Sequence, residues 1–354
     1  MRYLIVFALS TIAFTGLLAA FAWRVDPLGT FYDGSAVGHA AVQSPPCDVS
    51  DDLVGVNSWW SFKRDLVRRD DPSVVVLGTS RVLEIGSRHG ELRFVNAGLP
   101  SLGLSTVPRL LRELHDVHRG PLTVYLGVEL FWLNANWASP YSYVTPSTRA
   151  RLRDLLTRQQ VGESISLATS YPQLLVRPWH TSTVDGMCVL DRATRAAQGK
   201  VNAWRPDGTL AYASQLRPDL PHEIPNDFEL NLGNLAGPQY VGGYYTNWNK
   251  LSHLDELTAV LAQARSYGWK VVGFTPPYSD RYVRRLATAP ETAPRWREYG
   301  RQLPAIFRRY GFPYLDSRSG RSIGCTDREY LDDGWHIDPS CARKLRRALD
   351  TLAR

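Results

Sequence analysis

Five short apolar runs alternate with helical patterns, and that alternation restricts the fold of this chain more than any other feature. The runs are Val74–Leu77, Phe94–Val95, Leu122–Leu126, Lys270–Phe274 and Pro313–Leu315. Most are β-branched or aromatic, and the longer ones are apolar almost throughout, as strands covered on both faces must be. Between them lie amphipathic stretches. "STVPRLLRELHDVH" (Ser105–His118) follows the second run, and "SHLDELTAVLAQARSYG" precedes the fourth. The latter starts at Ser252 with Asp255 three residues on, a capping-box pattern, and stops at Gly268. "PRWREYGRQLPAIFRRYG" sets Trp296, Tyr299, Leu303, Ile306 and Phe307 at helical spacing, and Pro304 within it predicts a kink or a break. A last helix carries Leu345, Leu349 and Leu352.

Strands alternating with helices imply an α/β fold, a flavodoxin-like three-layer sandwich of about five parallel strands with helices on both faces. Ligands in such sheets bind at the carboxyl ends of the strands. The stretch from about 134 to 246 is rich in Pro, Gly, Tyr, Trp and Asn and too long for a loop, so it reads as an insertion after the third strand. Residues 1–23 read as a transmembrane anchor, 24–70 as a juxtamembrane segment and 71–354 as the main domain. Leu4–Trp23 is apolar without a charge, long enough to span a bilayer. "Ala20-Phe21-Ala22" also fits a signal-cleavage site. Anchored or cleaved, the body of the chain is exported.

The formal net charge of +7 is spread along the chain, and no zinc-finger spacing or basic recognition element accompanies it, which argues against nucleic acid as a partner. Four cysteines suit an exported protein. Cys325 and Cys341 flank "TDREYLDDGWHIDPS", where a disulfide would staple the loop; Cys47 and Cys188 remain, three pairings are open, and free thiols are the alternative. No Cys/His grouping suggests a metal, and no motif calls for a cofactor.

The first run ends in "VVVLGTSRV", presenting Ser80 at a strand's carboxyl edge. A serine nucleophile needs a base, and the base needs an orienter. Of the eight histidines, His39, His89, His115, His118, His180, His222 and His253 have ordinary surroundings. His336 lies in "YLDDGWHIDPS", three residues after Asp333, a separation at which a tight turn brings carboxylate and imidazole face to face. Asp332 and Asp338 compete for that role. For an oxyanion, the backbone N–H groups of Gly98, in "NAGLPSLG", and of Ser80 are candidates.

The blocks "GTSR", "NAG", "LGVELFWLN" and "DDGWH", in that order, resemble the SGNH or GDSL-like hydrolase superfamily. The likeness is closer to a membrane-anchored branch that includes the anchored protein of teichoic-acid D-alanylation and the acetyltransferases of exopolysaccharides. "RVDPLGTFYD", "RPDGTLAY" and "VVGFTPPYSD" are similar to that branch too. The resemblance implies Ser80 as nucleophile, His336 as base, Asp333 as orienter and Gly98 as an oxyanion donor. It also implies a multispanning membrane acyltransferase as partner. One block departs: where the superfamily has Gly-x-Asn-Asp, with the Asn donating to the oxyanion, this chain has Gly127, Val128 and Glu129. An ionised Glu cannot donate, which leaves Asn134 or Asn136 as substitutes.

Aromatic side chains interleaved with Asn, Gly and Pro suit sugar rings: Trp132, Trp137, Trp179, Tyr244, Tyr245, Trp248 and Trp335. Trp335, Trp132 and Arg81 are the candidates for holding substrate. The expectation is an exported serine acyltransferase that moves a small acyl group to a hydroxyl of a surface glycan. A carbohydrate esterase and a non-catalytic glycan-binding scaffold are the alternatives.

Overall fold

The computed structural model describes residues 2–25, 49–50, 59–88, 93–141, 143, 157–170, 202–212, 249–290, 292–331 and 333–354. Cys47, Cys188, Asp332, Trp179, Tyr244, Tyr245, Trp248, His39, His89, His180 and His222 lie outside the described residues, as does most of the expected insertion over 134–246. The chain divides into two compact units. One is Met1–Asp65 with Tyr143–Pro206; the other is Leu66–Ser142 with Asp207–Arg354.

In the first unit, helix α1 (Arg2–Val25) holds the apolar stretch. Among the described residues it is the one helix long and apolar enough to cross a membrane. Tyr3, Leu4, Phe7, Phe14 and Leu17 all stand exposed along it. Helix α2 (Trp59–Asp70) begins in this unit. Two short strands, Val49–Ser50 and Ala203–Trp204, pair antiparallel. Trp204 is buried, with Trp59 edge-on at 6.2 Å, Phe62 at 6.0 Å and the Lys63 ammonium 4.2 Å above its ring.

The second unit is built on five parallel strands: β1 (Val74–Leu77), β2 (Phe94–Asn96), β3 (Thr123–Gly127), β4 (Lys270–Phe274) and β5 (Tyr314–Leu315). Their spatial order is β2-β1-β3-β4-β5. Val75 pairs with Val95 and Val124, and Val124 pairs with Val271. Helix α3 (Val107–Val117) connects β2 to β3. Helix α4 (Leu254–Ser266) precedes β4, α5 (Asp280–Thr288) and α6 (Ala293–Arg309) follow it, and α7 (Pro339–Ala353) closes the chain. Val76, Tyr125, Val272 and Phe274 meet Leu345 and Leu349 of α7 in one core cluster. Val75, Val124 and Val271, one residue out of phase, face the other way. The sheet and α6 approach so closely at Gly273 that a Cβ there would stand 2.1 Å from the Phe307 ring.

Two local expectations need correction. Pro304 does not split helix α6, which continues through it as one helix. The ring crowds the carbonyl four residues back, and that residue is Gly300, which has the freedom to yield. Ser252 does not cap α4; His253 takes that position in a left-handed conformation (φ 58°), and its ring pairs with Glu256 at 2.6 Å.

Candidate active site

Ser80 opens a tight 3-10 turn, Ser80–Val82, directly beyond β1. Thr79 caps it, its hydroxyl accepting from the Arg81 N–H at 3.3 Å. The turn's own backbone bonds run from the Val82 N–H to Thr79 O and from the Leu83 N–H to Ser80 O, both at 3.2 Å, and do not engage the Ser80 N–H. Asn96, at the end of β2 and fully buried, braces the turn from the side. Its amide donates to Val82 O at 2.7 Å and to Ile85 O at 3.0 Å. The Tyr212 hydroxyl donates to Ser80 O at 3.3 Å, and its ring lies 5.8 Å from that of His336.

Asp333 and His336 sit on a hairpin. Tyr330 and Ile337 form an antiparallel bridge. Leu331 N–H donates to His336 O, and Gly334 N–H to Leu331 O, both at 2.8 Å. Gly334 supplies the left-handed φ of 71° that the reversal requires. A capping box between Thr326 and Glu329 fixes the entrance. Asp338 caps α7 at the exit by accepting from the Cys341 N–H at 2.8 Å, which removes it as a rival to Asp333. Cys325 and Cys341 are joined by a disulfide across this segment, with a Cα–Cα distance of 5.3 Å.

On this frame the three side chains form a chain of hydrogen bonds. His336 Nε2 lies 2.8 Å from Ser80 Oγ, while Nδ1 pairs with Asp333 Oδ2. Asp333 Oδ1 accepts from the N–H groups of Trp335 (3.0 Å) and His336 (2.9 Å). Burial alone would raise the Asp333 carboxyl. The charge of His336, its ring hydrogen bond and the two backbone N–H groups outweigh burial and hold it at about 2. Asp333 is therefore an ionised acceptor. Nδ1 must carry the proton it accepts, which leaves Nε2 open to the serine hydroxyl. Such an arrangement can take a proton from Ser80 as the oxygen attacks a carbonyl, then return it to a leaving group.

Other sequence candidates fall elsewhere. Gly98 reaches the same sheet edge, but its N–H donates to Asn96 Oδ1 at 2.9 Å and is already engaged. Asn134 is buried, and its Oδ1 accepts from the Asn136 N–H at 3.1 Å. Trp132 is a core residue, 1% exposed, with its indole N–H on Leu102 O. Arg81 is 2% exposed and bonded throughout to protein groups, so it cannot meet a substrate as folded. Trp335 is partly exposed and lies parallel to Tyr282 at 6.4 Å, with Phe131 at 6.5 Å.

Three residues that shape the site escape a sequence reading. Glu129 is fully buried and anchors Thr79 and Arg81. Asn96 and Tyr212 hold the serine turn. Asn96 and Tyr212 stand in the blocks "NAG" and "RPDGTLAY" with no role read for them, and Glu129 stands right after β3, at the edge where sites form. Neither a protein-family model nor a curated protein sequence matches this chain.

Proposed function

We propose that this protein is an SGNH-type serine acyltransferase of the cell envelope, tethered by α1 and working outside the cytoplasm. The observation that carries the reading is the hydrogen-bonded chain Ser80–His336–Asp333, with 2.8 Å between hydroxyl and imidazole. The parallel five-stranded sheet with its helices supports this reading, alongside the superfamily resemblance of the four sequence blocks. The disulfide and the apolar helix support an exported location.

In the proposed reaction Ser80 Oγ attacks the acyl carbonyl of the donor and His336 Nε2 takes its proton. That proton passes to the departing donor group, leaving an acyl ester on Ser80. A glycan hydroxyl then gives its proton to Nε2 and attacks the ester, and Ser80 recovers the proton as it leaves. The Ser80 N–H would serve as a backbone donor to the oxyanion. A multispanning membrane acyltransferase would supply the acyl group. With water in place of the glycan, the same residues make an esterase. A glycan-binding scaffold is the second reading, favoured by the engaged Gly98 N–H and by Glu129 where a donor would stand.

The test is turnover of an activated acetyl ester by the full chain and by Ser80→Ala, with and without glycan acceptor. Loss of turnover in a folded Ser80→Ala supports the enzyme, and acetylated glycan among the products supports transfer. Equal turnover by both proteins removes the nucleophile from the account.

A further inference from the structure

Ser80 lies between two residues that hang on one carboxylate. Thr79 Oγ1 donates to Glu129 Oε1 at 2.5 Å, and Arg81 Nη1 donates to Glu129 Oε2 at 2.8 Å. The rest of the Arg81 guanidinium fans out to the opposite side. Nε donates to Trp335 O at 3.1 Å, and Nη2 donates to Pro276 O at 2.8 Å and Pro277 O at 2.7 Å. Its plane rests 3.7 Å from the centre of the Tyr278 ring. Trp335 is the neighbour of His336. One side chain thus ties the nucleophile's turn to the base's hairpin, and through Glu129 and the two prolines also to the ends of β3 and β4.

The pair is an unusual choice for mere stability. Side-chain exposure is 2% for Arg81 and 0% for Glu129, and the desolvation of such a pair commonly cancels its attraction. What a buried guanidinium does supply is direction: a rigid planar fork whose donors fix several acceptors at once. The acceptors here sit on loops that must hold Ser80 Oγ and His336 Nε2 within hydrogen-bonding distance, where a shift of about 1 Å costs about 100-fold in rate.

We propose that Arg81, oriented by Glu129, is a positioning residue that sets the distance between Ser80 and His336. The inference rests on the serine-enzyme reading. It also recasts Glu129, which stands where the resembled superfamily has an oxyanion-donating Asn, as the counter-charge of that lock.

A fluorophosphonate probe tests it by resolving the maximal inactivation rate from the probe's half-saturating concentration, using the full chain in detergent. Arg81→Lys keeps a charge beside Glu129 but replaces the planar fork with a compact ammonium that cannot reach all its acceptors at once. The rate should fall about 100-fold while half-saturation moves less than about 3-fold, since the lock does not touch the probe. Ethylguanidinium should restore part of the rate to Arg81→Ala, and ethylammonium should not. If the lysine variant does not fold, Thr79→Val, which removes one bond to Glu129 and the cap on the Arg81 N–H, should still slow inactivation about 5-fold. A folded Arg81→Lys, or failing that a folded Thr79→Val, that reacts at the wild-type rate overturns the positioning role and leaves the serine enzyme standing. A wild-type protein that never reacts overturns both.

Discussion

The two segments that meet at the site are stiffened by different means. The Ser80 turn has no covalent brace. Buried polar side chains hold it: Asn96 on Val82 and Ile85, and Glu129 on Thr79 and Arg81. The Asp333–His336 hairpin relies on backbone bonds, a capping box and the Cys325–Cys341 disulfide. The difference follows from location. The turn is rooted in a buried strand end, where polar side chains gain strength from the low dielectric. The hairpin rises toward solvent between β5 and α7, where a cross-link constrains what hydrogen bonds alone would leave loose. Damage to the turn should therefore appear in both chemistry and stability, and damage to the staple mainly in stability.

The largest expected effect lies on the hairpin itself. Asp333→Asn presents an amide N–H to His336 Nδ1 and forces the ring proton onto Nε2, so ester turnover should fall by about 10³- to 10⁴-fold; melting at neutral pH should drop as well, because folding holds this carboxyl at about 2. Next is Asn96→Ala, which strands Ile85 O and the Gly98 N–H in the interior and leaves Val82 O with the Ile85 N–H alone. Denaturant unfolding should show a loss of about 2–4 kcal/mol, and inactivation of the folded fraction should slow more than about 10-fold, as a misplaced nucleophile requires. Replacing both Cys325 and Cys341 by Ser should cost about 3 kcal/mol but leave turnover at 25 °C within a few-fold. Loss of activity on the scale of Asn96→Ala would erase the contrast between the two segments.

Glu329→Gln probes the hairpin's entrance with the smallest effect. Burial raises the Glu329 carboxyl, but hydrogen bonds from Lys344, Ser340 and the Thr326 N–H overcome that and hold it at about 2, below its ordinary 4.5. A carboxyl depressed by folding stabilises above its unfolded value, and that stability is lost as pH falls toward the folded value. The variant should melt earlier than wild type at pH 7, by about 1–3 kcal/mol, and the gap should close as pH drops from about 4.5 to 2.

Much of this was legible in the sequence because the residues involved are close together or periodic. The strands fall within a residue or two of the apolar runs, since a strand buried on both faces has few ways to be written. Asp333 and His336 were readable as a pair because three residues on one reversal leave little freedom. The lock was not readable. Arg81 and Glu129 are 48 residues apart, and a buried ion pair looks in sequence like two surface charges. Arg81 read as a substrate ligand for that reason, and Glu129 as a missing oxyanion donor. The engagement of Gly98 by Asn96 depends on a side-chain rotamer, which spacing does not encode. Trp132 read as a sugar platform because composition does not tell a core tryptophan from an exposed one.

The central claim is that His336 activates the hydroxyl of Ser80. The direct measurement is mass mapping of the full chain after exposure to a fluorophosphonate. The account predicts one adduct, on the peptide containing Ser80, absent from His336→Ala. An unmodified Ser80, or equal modification of Ser80 in His336→Ala, would contradict it.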